Sequence, residues 1–229
     1  MALGNSQMIL AERRALREGD VEISERAFNL IIGGMLLWGF LLNYLTVALL
    51  APQVMRMVYG MNPLIFLVLY FVLVLIGNVM VVKGGPALSF VGYTLIAAPI
   101  GMVLCLSLQG VPVDIVKTAA LLTSIVTLSF MIAATLFPGF FLRLGRVLMF
   151  ALIAMLVGEL ISVLILHSTG MIYTWLGVGI FSLYIGYDWA RANACAPTLG
   201  NAIAVSAALY LDIVNLFLRI LRILNRSRK

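Results

Sequence analysis

Two aspartates near the end of the chain, Asp188 and Asp212, are the residues whose type and placement could do chemistry. Beyond residue 25 the acidic residues are only Asp114, Glu159, Asp188 and Asp212. A carboxylate at membrane depth is costly, so each is a functional-site hypothesis by default. Two carboxylates in one site cannot both ionise cheaply, and the pair then shares one proton. Protonated, Asp188 and Asp212 would form a hydrogen-bonded latch between two helices. Ionised, they would repel, or offer oxygen to a hard cation such as Ca²⁺ in transit. That is the chemistry of a pH-dependent gate with a preference for cations. The plainer alternative is two unrelated acids, with Asp188 solvated at a helix end and Asp212 paired with an arginine.

The elements that must position this pair are the last two apolar helices. At 100° per residue, Asn201, Ala208, Asp212, Asn215, Arg219 and Arg222 share one face of the final helix, opposite Leu209, Ile213, Leu216 and Ile220. A polar stripe on an apolar helix normally faces the bundle interior or a water-filled cavity. On the preceding helix Gly177, Phe181, Tyr184, Asp188 and Arg191 share a face. Asp212 lies about 18 Å along its helix from Gly200, and Asp188 about 26 Å along its helix from Met171, at the helical rise of about 1.5 Å per residue. A straight hairpin would leave them about 10 Å out of step. They meet only if the connection Ala192–Leu199 folds back or the last helix sits deeper than its neighbours.

Glu159 has two readings, a third acid on a cation path or a protonated structural acid bonded to Ser162 or a backbone carbonyl. Asn215, Arg219 and Arg222 complete the candidate ion path or latch. Asn43 and Asn78 read as interhelical hydrogen-bonding residues, His167 as the end of a span, and Asp114 as an acid at a helix N-terminus.

The background is strongly apolar. Of 229 residues, 63% are hydrophobic and 10% charged, with a mean hydropathy of +1.13. A soluble domain carries about 25% charged residues, so the chain reads as an all-α integral membrane protein. Seven runs are long enough to span, about 28–51, 63–82, 87–108, 114–136, 147–166, 171–188 and 200–224, against the roughly 17–25 residues a bilayer needs. They make a transmembrane domain over 27–225, between a polar N-terminal tail, 1–26, and a basic C-terminal tail, 226–229. Gly and Pro cluster in the short links, including Pro138 to Arg146. Gly33, Gly34 and Gly39, and Gly177, Gly179 and Gly186, are candidates for close helix approach. Pro99 interrupts the third span. The runs lack the period-two alternation of barrel strands. The first run is expected to stay in the protein as a signal anchor.

The net charge of +6 lies at helix ends and in both tails, which suggests topology and anionic headgroups rather than nucleic acid. With the N-terminus cytoplasmic, eight basic residues of the first six spans lie inside and two, Arg56 and Lys117, outside. The five from Arg219 to Lys229 conflict with a seventh full crossing. Cys105, Cys195 and His167 form no metal spacing, and no tightly bound cofactor is expected. No GxSxG, HExxH, P-loop or dinucleotide run is present. An intramembrane aspartyl protease would want a glycine-flanked second aspartate, where this chain has Tyr210-Leu211-Asp212-Ile213. The chain is read as a non-enzyme.

Three stretches carry a family resemblance: Gly186-Tyr187-Asp188, then Leu209-Tyr210-Leu211-Asp212-Ile213-Val214-Asn215-Leu216-Phe217-Leu218-Arg219, and the basic tail. With the spacing of the two aspartates, they resemble the Bax inhibitor-1 family, also called the transmembrane Bax inhibitor motif family, in a bacterial type. The match is strongest over residues 180–225. The resemblance implies seven transmembrane helices with the last one central, in a bacterial inner or plasma membrane. It implies a pH-sensitive Ca²⁺ leak, with Asp188 and Asp212 as sensor, Ca²⁺ as permeant ion and protons as regulator. Arg222 resembles a basic residue that helps hold the closed state. Relatives can carry an arginine in the second span as partner to the sensor. Residues 63–82 here have none, and Asn78 or Lys83 would have to substitute. The alternative that the resemblance implies is a non-conducting modulator, an inhibitor of a membrane-anchored AAA protease or a regulator of stress or cell death.

Overall fold

The structure is a computed structural model and describes residues 21–166 and 170–227. Most of the polar N-terminal tail, His167, and Arg228 and Lys229 of the basic tail lie outside the described residues. Eight helices occur among the described residues: α1 Glu25–Tyr59, α2 Pro63–Lys83, α3 Pro86–Leu108, α4 Val113–Leu136, α5 Pro138–Arg143, α6 Gly145–Leu166, α7 Met171–Ala194 and α8 Leu199–Ser227. Their ends follow local chemistry. Ser24 caps α1 by accepting from the Ala27 N–H at 3.2 Å, and Asn62 caps α2 by accepting from the Leu64 N–H at 2.9 Å. Pro63, Pro86 and Pro138 each sit in the first turn of a helix, where a missing N–H costs nothing. Gly110, at φ 70°, makes the turn between α3 and α4.

Six helices are long and apolar enough to cross a membrane: α1, α2, α3, α4, α6 over Gly145–Val163, and α8. The chain is a multi-pass integral membrane protein, and rows of exposed Leu, Ile, Val and Phe on α1, α2, α4 and α6 meet the lipid. The seventh expected span, 171–188, is helical, but falls short on composition rather than length. The 24 residues of α7 hold three tyrosines, two tryptophans, three glycines and Asp188, which dilute its apolar residues. Other boundaries also move. The first helix starts at Glu25, before residue 27, and continues through Pro52 to Tyr59. The link from Pro138 to Arg146 is largely helical, as α5, and Phe141 on it is buried.

The chain forms two compact units. Among the described residues, the first holds α1–α3 and residues 194–208, and the second holds residues 110–166, 170–193 and 209–227. In the first, α2 and α3 cross at Gly77 and Gly92. A Cβ at Gly77 would lie 2.7 Å from the Gly92 carbonyl oxygen, and one at Gly92 2.6 Å from the Gly77 carbonyl oxygen. Only glycine permits that approach. Nothing among the described residues lies within 4 Å of a Cβ built at Gly33 or Gly34, so those glycines do not make the close crossing expected of them. Tyr93, fully buried, donates from its hydroxyl to the Met35 carbonyl at 2.7 Å and ties α3 to α1. Pro99 lies within α3 and is buried. The Ile23 N–H donates to the Pro197 carbonyl at 2.8 Å, which fastens the segment before α1 to the connection before α8.

Candidate functional site

The second unit holds every expected site residue. The face of α7 is set by four contacts. Gly186 receives the Phe141 ring of α5 edge-on, so closely that a side chain there would overlap it. Phe141 belongs to a buried cluster with Ala134 of α4 and Ala190 of α7. Trp189 donates from Nε1 to Thr135 Oγ1 at 2.9 Å. The Tyr187 ring covers Gly145 at the start of α6. With Gly186, Tyr187, Trp189 and Ala190 committed to α4, α5 and α6, Asp188 turns toward α8.

Asp188 and Asp212 are 5% and 7% exposed. They lie close enough to act on each other electrostatically. Two ionised carboxylates offer only acceptors, so a hydrogen bond between them needs one of them to hold a proton. The expected 10 Å offset between them does not keep them apart. Tyr184, one turn before Asp188, lies close enough to interact electrostatically with both carboxyls.

The basic partner at the pair is one that the sequence did not single out. Arg191 Nη2 lies 3.2 Å from Asp188 Oδ1, three residues along the same helix, and Arg191 also acts electrostatically on Asp212. Its guanidinium rests 5.8 Å from the centre of the Tyr187 ring. The i, i+3 spacing of Asp188 and Arg191 was a legible signal for this pair.

Glu159 has partners that neither reading named. Arg219 donates from Nη1 to Glu159 Oε1 at 2.8 Å and from Nη2 to Oε2 at 2.6 Å, a bidentate pair between α8 and α6. Arg222 Nη1 adds a third bond to Oε1 at 3.1 Å. A carboxyl held by two guanidiniums suits an ionised acid rather than a protonated structural one. Arg222 meets Glu159, not the aspartate pair. Asn215 donates from Nδ2 to the Leu211 carbonyl of its own helix at 2.8 Å. Arg219 reaches α6 across Gly177 of α7, where a Cβ would stand 2.8 Å from Nε and 3.0 Å from Cδ. Gly177 and Gly186 thus make the close contacts expected of them, while nothing lies within 4 Å of a Cβ at Gly179.

Both faces of α8 are buried at this level: Asp212 and Arg219 on the polar side, Leu209, Leu216 and Ile220 on the other. Among the described residues no group of three or more His, Cys, Asp or Glu side chains could hold a metal ion.

These features define a multi-pass helical membrane protein with a buried aspartate on each of its last two helices. The family model described as "Inhibitor of apoptosis-promoting Bax1" matches residues 22–229. The chain belongs to the Bax inhibitor-1 family. No curated protein and no solved structure matches it.

Proposed function

We propose that this protein is a pH-sensitive Ca²⁺ leak gated by Asp188 and Asp212. What supports the reading most is that Asp188 of α7 and Asp212 of α8 are both buried and act on each other electrostatically. While the pair shares a proton, it holds the two helices together. As pH rises and that proton leaves, two like charges occupy one buried site, and their repulsion drives the helices apart. The opened site presents carboxylate oxygens, which suit a hard divalent cation moving down its gradient. Asp188 and Asp212 act as ligands only in passing, with no resident metal.

The test is Ca²⁺ entry into proteoliposomes that hold an indicator dye, measured across pH. Flux should rise with pH, and Asp212→Asn, which cannot ionise, should remove that rise. A flux indifferent to pH, or one unchanged in Asp212→Asn, refutes the gate. Absence of flux, together with slowed turnover of substrates of a membrane AAA protease and co-purification with that protease, would make the protein a modulator instead.

A further inference from the structure

The polar stripe of α8 carries contacts at two levels. Asp212 meets Asp188 at one. Seven residues on, two turns and about 10 Å along the same face, Arg219 crosses Gly177 of α7 and grips Glu159 of α6. The two levels differ in chemistry. The aspartate pair is acid against acid and changes when a proton leaves. The second is a carboxylate held by two guanidiniums, which stay charged at any working pH. It is also largely shielded from water, with Arg219 and Glu159 side chains 11% and 16% exposed. Arg222, 47% exposed, ties the same carboxylate to the wetter side.

We infer that the Glu159–Arg219–Arg222 clamp is a second closure, in series with the aspartate pair and insensitive to pH. This rests on the proposed leak, because it names what else must part for a cation to pass along α8. The stem of Arg219 fills the space left by Gly177, so the seam between α7 and α8 is shut there even when the aspartates repel. The clamp binds α8 to α6, and the aspartates bind α8 to α7. Ionising the aspartates therefore loosens one end of the seam only, and full opening requires Arg219 to leave Glu159. A leak that responds to pH but stays small under ordinary conditions follows from two such closures.

The test uses the double variant Glu159→Leu/Arg219→Leu, which removes both charges together, in the full-length protein. Two readouts separate the clamp from the leak. The first is Ca²⁺ flux in proteoliposomes at pH 6 and pH 8. The double variant should pass at least about tenfold more at both values, since loss of even one charge-assisted hydrogen bond shifts a two-state equilibrium by that much. The increase with pH should persist, because the aspartates are untouched. The second readout needs no flux. Asn215→Cys, between the two levels, is placed in a background with Cys105→Ala and Cys195→Ala. Its labelling by a charged thiol reagent should speed up at least tenfold when Glu159 and Arg219 are also replaced by leucine. Unchanged labelling overturns the clamp whatever the flux does. Faster labelling with no Ca²⁺ flux in any variant upholds the clamp as a closure and overturns the leak. Faster labelling with flux unchanged from the parent's overturns the series arrangement. If the double variant does not fold, Gly177→Ala, which pushes on Arg219 and leaves every charge in place, is read in the same two assays, with the same outcomes deciding.

Discussion

Deleting one partner of the Glu159–Arg219 pair should cost far more than deleting both. Glu159→Leu leaves two guanidiniums beside an apolar side chain, one of them, Arg219, nearly buried. Removing one partner from a buried pair costs about 3–5 kcal/mol, and this variant belongs at the upper end of that range. Arg219→Leu leaves Glu159 with Arg222 still at 3.1 Å, so it belongs at the lower end. The double variant replaces charges by apolar groups where the surroundings are apolar, and such replacements are often neutral. Its stability should fall by only about 1–2 kcal/mol, less than that of either single variant, which makes the coupling between the two sites several kcal/mol and of compensating sign. The assay is unfolding of the four proteins in mixed micelles with rising denaturing detergent, followed by helical signal. Additive losses, with the double variant as unstable as the two singles together, would refute the reasoning. They would mean that the two side chains do not meet, or that water screens them enough to make the pair a surface contact of the weak kind.

Three further outcomes follow. Asp188→Asn, like Asp212→Asn, should leave a Ca²⁺ flux that no longer rises between pH 6 and pH 8, because either change removes the like-charge pair; a retained rise in proteoliposomes would assign the pH response elsewhere. Arg191→Gln should move the flux–pH curve to more alkaline values with its maximum unchanged, since a cation at 3.2 Å from Asp188 favours the ionised form of the pair; a changed maximum would make Arg191 a latch instead. Gly77→Ala should destabilise the first unit by roughly 1–3 kcal/mol, because its Cβ would stand 2.7 Å from the backbone oxygen of Gly92 and the helices must move apart; thermal melting unchanged from the parent's would show that α2 and α3 do not cross there.

What the sequence could and could not disclose follows from which interactions are local. Membrane helices and their ends were legible because a span is a property of one continuous run, and caps such as Asn62 before Pro63 act within one turn. The faces of α7 and α8 were legible for the same reason: helical periodicity alone placed Asp188 with Gly177, and Asp212 with Arg219. Pairings between helices were not. Glu159 and Arg219 are sixty residues apart, and periodicity says which way each points without saying what stands opposite. The sequence thus offered Glu159 an acid's usual partners and missed the arginines. The glycines divide on the same line. Gly33 and Gly34 look like a crossing motif, yet nothing among the described residues lies within 4 Å of a Cβ built there, whereas Gly77 and Gly92, which do cross, are single glycines in separate helices and carry no local mark. Arg191 is the exception. Its partner lies one turn away, so the cation beside the aspartate pair was within reach of the i, i+3 rule. The family pattern had directed attention to the second span, where this chain has no arginine. Because Arg191 rides on the same helix as Asp188, it stays with that carboxyl when α7 and α8 part. An arginine on another helix would hold the gate shut by bridging it. In the proposed gate this one chiefly sets how readily the proton leaves, and that places most of the work of holding the closed state on the aspartates themselves and on Glu159.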